Sequence, residues 1–259
     1  MIKLLQPWLP PLASEHGGKV DELIFYVHVV MGALFVGWLA FFLYTLFRFR
    51  QTRNPKASYV GVKSHASTWV ELAVATVEGV LLIGFAVPLW ARVADKFPPE
   101  KDSTVLRVIG QQFQWSAFYA GPNGVFGKQD MRLVTTENPF GIVDKNDPDG
   151  KDDFPSSVTG DIVVPVNKPV IAYVSSKDVI HSFKVNPLRV TQDAIPGLMI
   201  PVHFKPTREG TYLINCAQLC GNSHFGMRGY VRVVSQEKYD QWAAEQLKKA
   251  SGAGAGGFE

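Results

Sequence analysis

The chain has 259 residues, of which 46% are hydrophobic and 19% charged, with a formal net charge of +3 and a mean hydropathy of +0.04. Those values exclude an intrinsically disordered chain and a polytopic transporter. The charge is too small, and the basic residues too scattered, for a nucleic-acid partner, and two cysteines cannot staple a chain of this length. A chain that is part bilayer-spanning and part water-soluble fits.

Residues 1–23 carry Lys3 as their only early basic residue and prolines where a signal peptide needs its apolar core, so they read as an external N-terminal segment. Residues 24–47 have no formal charge and, at 1.5 Å per residue, span roughly 36 Å, enough to cross a hydrocarbon core. Residues 48–68 form a loop with Arg48, Arg50, Arg53, Lys56 and Lys63 and no acidic residue, which assigns the loop to the cytoplasm and both termini to the outside. Residues 69–91 form a second span framed by Trp69 and Trp90 and interrupted by Glu71 and Glu78, and 92–103 form a linker.

From 104 to 235 the pattern changes to short β-rich runs (TVLRVIG, QFQWSAFY, DIVVPV, PVIAYVSS, HSFKV, VHFKP, TYLINC, GYVRVVS) separated by turn residues, as in an all-β sandwich or barrel. Asp144 to Asp153 interrupts them with five aspartates and reads as an exposed loop. Residues 236–259 are expected to be a short helix with Tyr239, Trp242 and Ala243 on one side, then a flexible SGAGAGG tail.

One stretch concentrates chemistry: Cys216-Ala-Gln-Leu-Cys220-Gly-Asn-Ser-His224-Phe-Gly-Met227. Thiolate, imidazole and thioether are the donors that soft transition metals, copper above all, prefer. A Cys216–Cys220 disulfide is the plain alternative; structural zinc fits less well, because Met is a poor zinc donor. With His181, which follows a β-rich run, the set completes a site for two copper ions bridged by both sulfurs, each receiving one imidazole. Every coordination place is then filled by protein, which suits electron transfer rather than substrate chemistry.

Two N-terminal spans, an external β domain, HSF at 181–183, DAIPG at 193–197 and CAQLCGNSHFGM at 216–227 together resemble subunit II of cytochrome c oxidase, from about Ile24 to Ser235. The resemblance implies a transmembrane helical hairpin followed by an all-β cupredoxin-like Greek-key domain with a binuclear copper centre, CuA. The implied ligands are His181, Cys216, Cys220, His224, Met227 and the backbone carbonyl of Gln218. It further implies a respiratory, proton-pumping oxidase of a bacterial or mitochondrial inner membrane, with the β domain on the periplasmic or intermembrane side. Electrons would arrive from cytochrome c and pass to haem and copper in subunit I, where oxygen is reduced, with subunit III as a further partner.

Three departures stand out. Gln218 replaces a usual Glu, and its neutral side chain is a weaker ligand for a hard cation, which counts against a magnesium ion at the subunit I border. The family's GHQWYWS run reads Gly110-Gln-Gln-Phe-Gln-Trp-Ser, leaving Phe113 and Trp115 as alternative rings for electron uptake. Leu198 replaces an Arg that commonly follows DAIPG. By resemblance Glu71 opens a proton path into subunit I, the plain alternative being a headgroup-level carboxylate favoured by the helix N-terminus, and Asp193 is a docking candidate for cytochrome c. Glu78, where relatives often carry Pro, is an ionisable group inside a span and so a second proton-path candidate, protonated or hydrogen-bonded to subunit I. His28 reads as a helix-packing residue. The acidic loop is either solvated or steers a basic cytochrome c. Two other functions stay open: the CuA subunit of a nitric oxide reductase, and a membrane-anchored copper-delivery protein.

Overall fold

The computed structural model describes residues 8–56, 59–61, 63–135, 138, 140–144, 146–156 and 161–253. Lys3 and the last residues of the expected tail, 254–259, lie outside the described residues. The chain divides into two units, Lys19–Arg92 and a second comprising Trp8–Gly18 and the chain from Val93 onward.

The first unit is helical. Helix α1 (Gly17–Arg48) and helix α2 (Ala66–Asp95) are both long and apolar enough to cross a membrane, with no residue of their most apolar windows buried within the chain. In a bilayer each backbone group needs a partner within its own segment, which a helix provides. Helix α2 widens to a π-helical turn over Leu81–Ala86, immediately ahead of Pro88. Proline lacks an N–H and crowds the carbonyl four residues back, so a wider turn accommodates it.

The second unit is a β-sandwich. Its strands are β1 (Thr104–Gln111), β2 (Gln114–Tyr119), β3 (Phe154–Pro155), β4 (Asp161–Pro165), β5 (Val170–Ser176), β6 (His181–Val185), β7 (Val190–Ala194), β8 (Ile200–Phe204), β9 (Gly210–Cys216) and β10 (Arg228–Val234). They form two sheets, ordered β3-β2-β1-β5-β8 and β4-β10-β9-β6-β7, with β1–β5 and β4–β10 parallel and the remaining pairs antiparallel. In β10 the side chains alternate, Val231 and Val233 inward against Arg228, Tyr230 and Arg232 outward, as a half-buried strand requires. In β1 nearly every residue is buried, because Phe126, Phe140 and Ile142 of the following segment cover Ile109 and Phe118 on the outer face.

All eight β-rich runs of the sequence are strands; β3 and β7 are not announced by the pattern, β7 because Thr191, Gln192 and Asp193 make it polar. The C-terminal helix α3 (Gln236–Ala253) takes in the first three residues of the segment expected to be a tail. Its Tyr239, Trp242, Ala243 and Leu247 pack on the core, with Trp242 edge-on to Tyr119 at 5.1 Å. The segment before α1 also belongs to this unit: Ala13 N–H donates to Pro187 O (2.9 Å), Ser14 Oγ to Leu188 O (2.6 Å) and Glu15 N–H to Lys205 O (3.0 Å).

Tyr119 joins the two sheets. Its hydroxyl donates to Val163 O (3.0 Å) and accepts from Val163 N–H (2.9 Å), and its burial pushes the phenol well above its ordinary pKa. Tyr119→Phe leaves both backbone groups of Val163 without that partner, so the domain should lose about 1–3 kcal/mol, read from denaturant unfolding of the detergent-solubilised chain.

Candidate metal centre

Two strand ends and one loop bring the soft donors together. Cys216 is the last residue of β9 and pairs across the ladder with Phe183, two residues into β6 from His181. The loop from Ala217 to Met227 folds back, tied at its start by Ala217 N–H to Ser182 O (3.0 Å) and closed by a short 3-10 turn at His224–Gly226. Cys220 thereby comes to 3.7 Å from Cys216, Sγ to Sγ.

Around this sulfur pair stand the other predicted donors. His181 Nδ1 lies 3.8 Å from Cys216 Sγ, His224 Nδ1 3.5 Å and Met227 Sδ 3.8 Å from Cys220 Sγ, and Gln218 O accepts from Cys216 Sγ at 3.1 Å. His181, Cys216, Cys220 and Met227 are buried, and His224 is half-buried. All six residues expected in the ligand set are therefore neighbours. Among the described residues, His181, Cys216 and Cys220 are the one group of three or more His, Cys, Asp or Glu placed to share a metal ion.

The geometry fits a metal better than the alternatives. Both cysteines are free, and 3.7 Å is far beyond the about 2.05 Å of a disulfide. It is short enough for one ion to reach both sulfurs at the about 2.3 Å typical of a thiolate–metal bond. Burial, then the neighbouring Cys216 thiol, pushes the Cys220 thiol up to about 11, so in the metal-free chain Cys220 keeps its proton at neutral pH. Metal binding has to displace that proton, and the cation's charge then compensates the buried thiolate.

Surrounding residues that sequence reasoning missed hold these ligands. Asp178 Oδ1 stands 2.8 Å from His181 Nε2, and its carboxylate also accepts the N–H groups of Gln112 and Val179, each at 2.7 Å. Burial works against the Asp178 carboxylate, but these bonds outweigh it and keep its pKa below the ordinary value. Gly110 of β1 leaves room for the imidazole: a Cβ there would lie 3.0 Å from His181 Cδ2 and 3.1 Å from Trp115 Cζ3. Gly221, at φ +134°, takes a backbone that side chains rarely adopt, and the Phe113 ring sits over it.

The two candidate rings differ in place. Trp115 is 1% exposed, wedged edge-on between His181 (6.0 Å) and Phe183 (5.7 Å). Phe113 is half-buried at the tip of the β1–β2 hairpin, against the copper-binding candidate loop. Asp193 is exposed on β7, opposite Ser182 in the ladder. The acidic loop is not simply solvated: Asp147 accepts from Lys128 and Asp149 N–H, Asp153 from Gly121 and Gly127 N–H, and Asp144 from Asn146 N–H. Glu71 and Glu78 lie on α2, in the other unit, with exposed side chains. His28 bonds the Ile24 carbonyl of its own helix at 2.7 Å.

Comparison with known proteins gives a consistent result. Residues 104–234 match the family described as cytochrome c oxidase subunit II, periplasmic domain. The alternative cytochrome c oxidase subunit 2 of Bradyrhizobium diazoefficiens is 31% identical over 95% of this chain and 87% of that protein. Cytochrome c oxidase subunit 2 of Cereibacter sphaeroides is 30% identical over 90% of this chain and 77% of its own length. Among solved structures, the periplasmic domain of subunit II of cytochrome oxidase from Bradyrhizobium japonicum is 27% identical, with a TM-score of 0.43, over 60% of this chain and 99% of that one.

Gly110→Ala forces a methyl group against the His181 ring, at a cost of about 1–3 kcal/mol if the ring stays or a displaced ring if it does not. Copper affinity of the detergent-solubilised chain should fall about tenfold in competition with a chelator.

Proposed function

The chain belongs to the cytochrome c oxidase subunit II family, a component of an oxidoreductase complex, and from this we propose that it is the subunit through which electrons reach the oxidase. In this reading His181, Cys216, Cys220, His224, Met227 and the carbonyl of Gln218 hold a binuclear CuA centre, cytochrome c is the donor, and subunit I receives the electron. The observation that carries it is the unbroken run of contacts from His181 Nδ1 through the two sulfurs to His224 Nδ1. When bound, the copper pair takes up and gives up one electron at a time, shared between two ions.

The chain's own residues prepare that exchange. His181 Nε2–H donates to Asp178 Oδ1, which leaves Nδ1 as the lone-pair nitrogen facing the sulfurs. Burial of Cys216, Cys220 and Met227 excludes water, so little solvent rearranges when charge arrives. Phe113, at the surface and against Gly221, is the ring available to a docked donor; buried Trp115 supports His181 from beneath. Asp193 lies beside the site as a charged docking contact. The neutral side chain of Gln218 is a weaker ligand for a hard cation than a carboxylate, so a magnesium ion at the subunit I border is not part of this proposal. The exposed Leu219 and Phe225 lie on the same loop and supply apolar area for contact with subunit I.

For the membrane unit, we assign the basic loop to the cytoplasm and the β-sandwich to the periplasmic side of a bacterial inner membrane, or the equivalent side of a mitochondrial one. Glu71, near the cytoplasmic end of α2, opens a proton path into subunit I. Glu78, about 10 Å deeper on nearly the same face, continues it. A carboxyl group inside a span is costly unless it faces protein or water, which directs both side chains toward subunit I. Subunit III is a further neighbour in the assembled oxidase.

Two measurements test this reading. The full chain, copper-loaded in detergent, should give an electron paramagnetic resonance spectrum of one electron shared over two coppers, abolished in Cys216→Ser; a single-copper hyperfine pattern would sink the assignment. Glu71→Gln should slow proton uptake by the assembled oxidase while copper reduction by cytochrome c proceeds at the wild-type rate. Unchanged turnover would return Glu71 to a structural role.

A further inference from the structure

We propose that Gln112 is a positioning residue that braces both halves of the metal site from the opposite sheet. The proposal rests on the copper reading of His181 and Cys220. Gln112 sits at the tip of the β1–β2 hairpin, between Gln111 and Gln114, and belongs to neither the β6 nor the β9–β10 segments that supply the ligands. Its backbone N–H donates to Asp178 Oδ2 at 2.7 Å, and the other oxygen of that carboxylate holds His181 Nε2. Its side-chain amide donates to the Cys220 carbonyl at 2.6 Å. A single residue, 66 positions from one partner and 108 from the other, thus ties the histidine arm to the cysteine loop.

The second bond matters because of what that loop lacks. Between Ala217 and Met227 no described residue takes part in a strand ladder, so sheet pairing does not fix the Cys220 backbone. Gly221, next in sequence, adds the wide conformational freedom of a glycine at this point of the loop. A Cβ at Gly221 would meet Gln112 Nε2 at 2.8 Å and Phe113 Cζ at 3.1 Å, so the absence of a side chain is what lets the hairpin tip reach the Cys220 carbonyl. Fixing that carbonyl fixes the peptide plane from which Cys220 Sγ projects toward Cys216. The brace therefore sets the sulfur-to-sulfur spacing before metal arrives and resists its opening afterwards.

The side chain can be tested apart from the backbone bond, which survives any substitution at 112 except proline. Gln112→Ala removes the amide without adding charge, and Gln112→Glu keeps its length while removing the N–H donor at neutral pH. In the copper-loaded full chain, both variants should lose copper to a chelator about tenfold faster than wild type, the yield of one lost hydrogen bond. Both should also alter the two-copper hyperfine pattern, while the unfolding midpoint of the metal-free chain falls only slightly, as the loss of one part-exposed hydrogen bond requires. Gln114→Ala, two residues along the same hairpin and outside the brace, should match wild type. Release rates within about twofold of wild type in both Gln112 variants would overturn the proposal, as would equal acceleration in Gln114→Ala, which would mean general loosening of the hairpin. A wild-type chain without the two-copper spectrum would fail the functional reading instead, before any variant is compared.

Discussion

Two buried sulfur atoms held 3.7 Å apart are the constraint around which the second unit is organised. In the metal-free chain this is an unfavourable arrangement for charge, since burial and the adjacent thiol both keep the Cys220 proton on. Nothing in the loop's own sequence compels it to fold back so that the fourth residue after Cys216 covers it. The arrangement persists because surrounding elements over-determine it: the β9 ladder fixes Cys216, the Ser182 carbonyl holds Ala217, and the hairpin of the other sheet holds the Cys220 carbonyl. A site with this much external support is ready for metal, and the cation then removes the electrostatic penalty.

The same logic explains how electrons could reach the site without exposing it. His181 is wholly enclosed, between the missing Cβ of Gly110 on one side, the Trp115 ring and the Asp178 carboxylate. In the proposed function, Phe113, at the surface against the loop, lets a docked protein approach closely while the proposed ligands remain dry. The carboxylates of the acidic loop are occupied with backbone N–H groups in their own segment, which leaves them with a structural task whatever field they add.

How much of this was legible in the sequence follows from the range of the interactions. The spans were readable because an uninterrupted apolar run depends on local composition alone, and the eight main strands because short runs rich in β-branched and aromatic residues stand between turn residues. The cluster at 216–227 was readable because five of its six donor groups lie within twelve residues. His181 is 35 positions from Cys216 and entered only through its HSF context and the family resemblance. Asp178 gave no signal, and Gly110 and Gln112 entered only as members of the run at 110–116 with no role of their own, since a glycine that makes room for an imidazole, or an amide that reaches a carbonyl 108 residues on, has no period or composition to detect. The N-terminal residues Ala13 to Glu15 were likewise silent: their pairing partners near 187 and 205 are visible only after the sandwich has formed.

These missed residues share one property: they cross the seam between the two sheets. His181 and Cys216 belong to the sheet of β6 and β9, whereas Gly110, Gln112 and Trp115 belong to the β1–β2 hairpin of the other. Site geometry is then inseparable from sheet-to-sheet packing, because a shift that opens the sandwich moves the hairpin away from both ligand segments at once. The converse follows by linkage. Metal that binds only the closed arrangement stabilises the packing in proportion to its differential affinity, and the Tyr119 hydroxyl, joining the sheets at Val163, acts on the same closed state. Fold stability and metal retention are therefore expected to rise and fall together for changes across the seam, and separately for changes confined to either sheet's outer face.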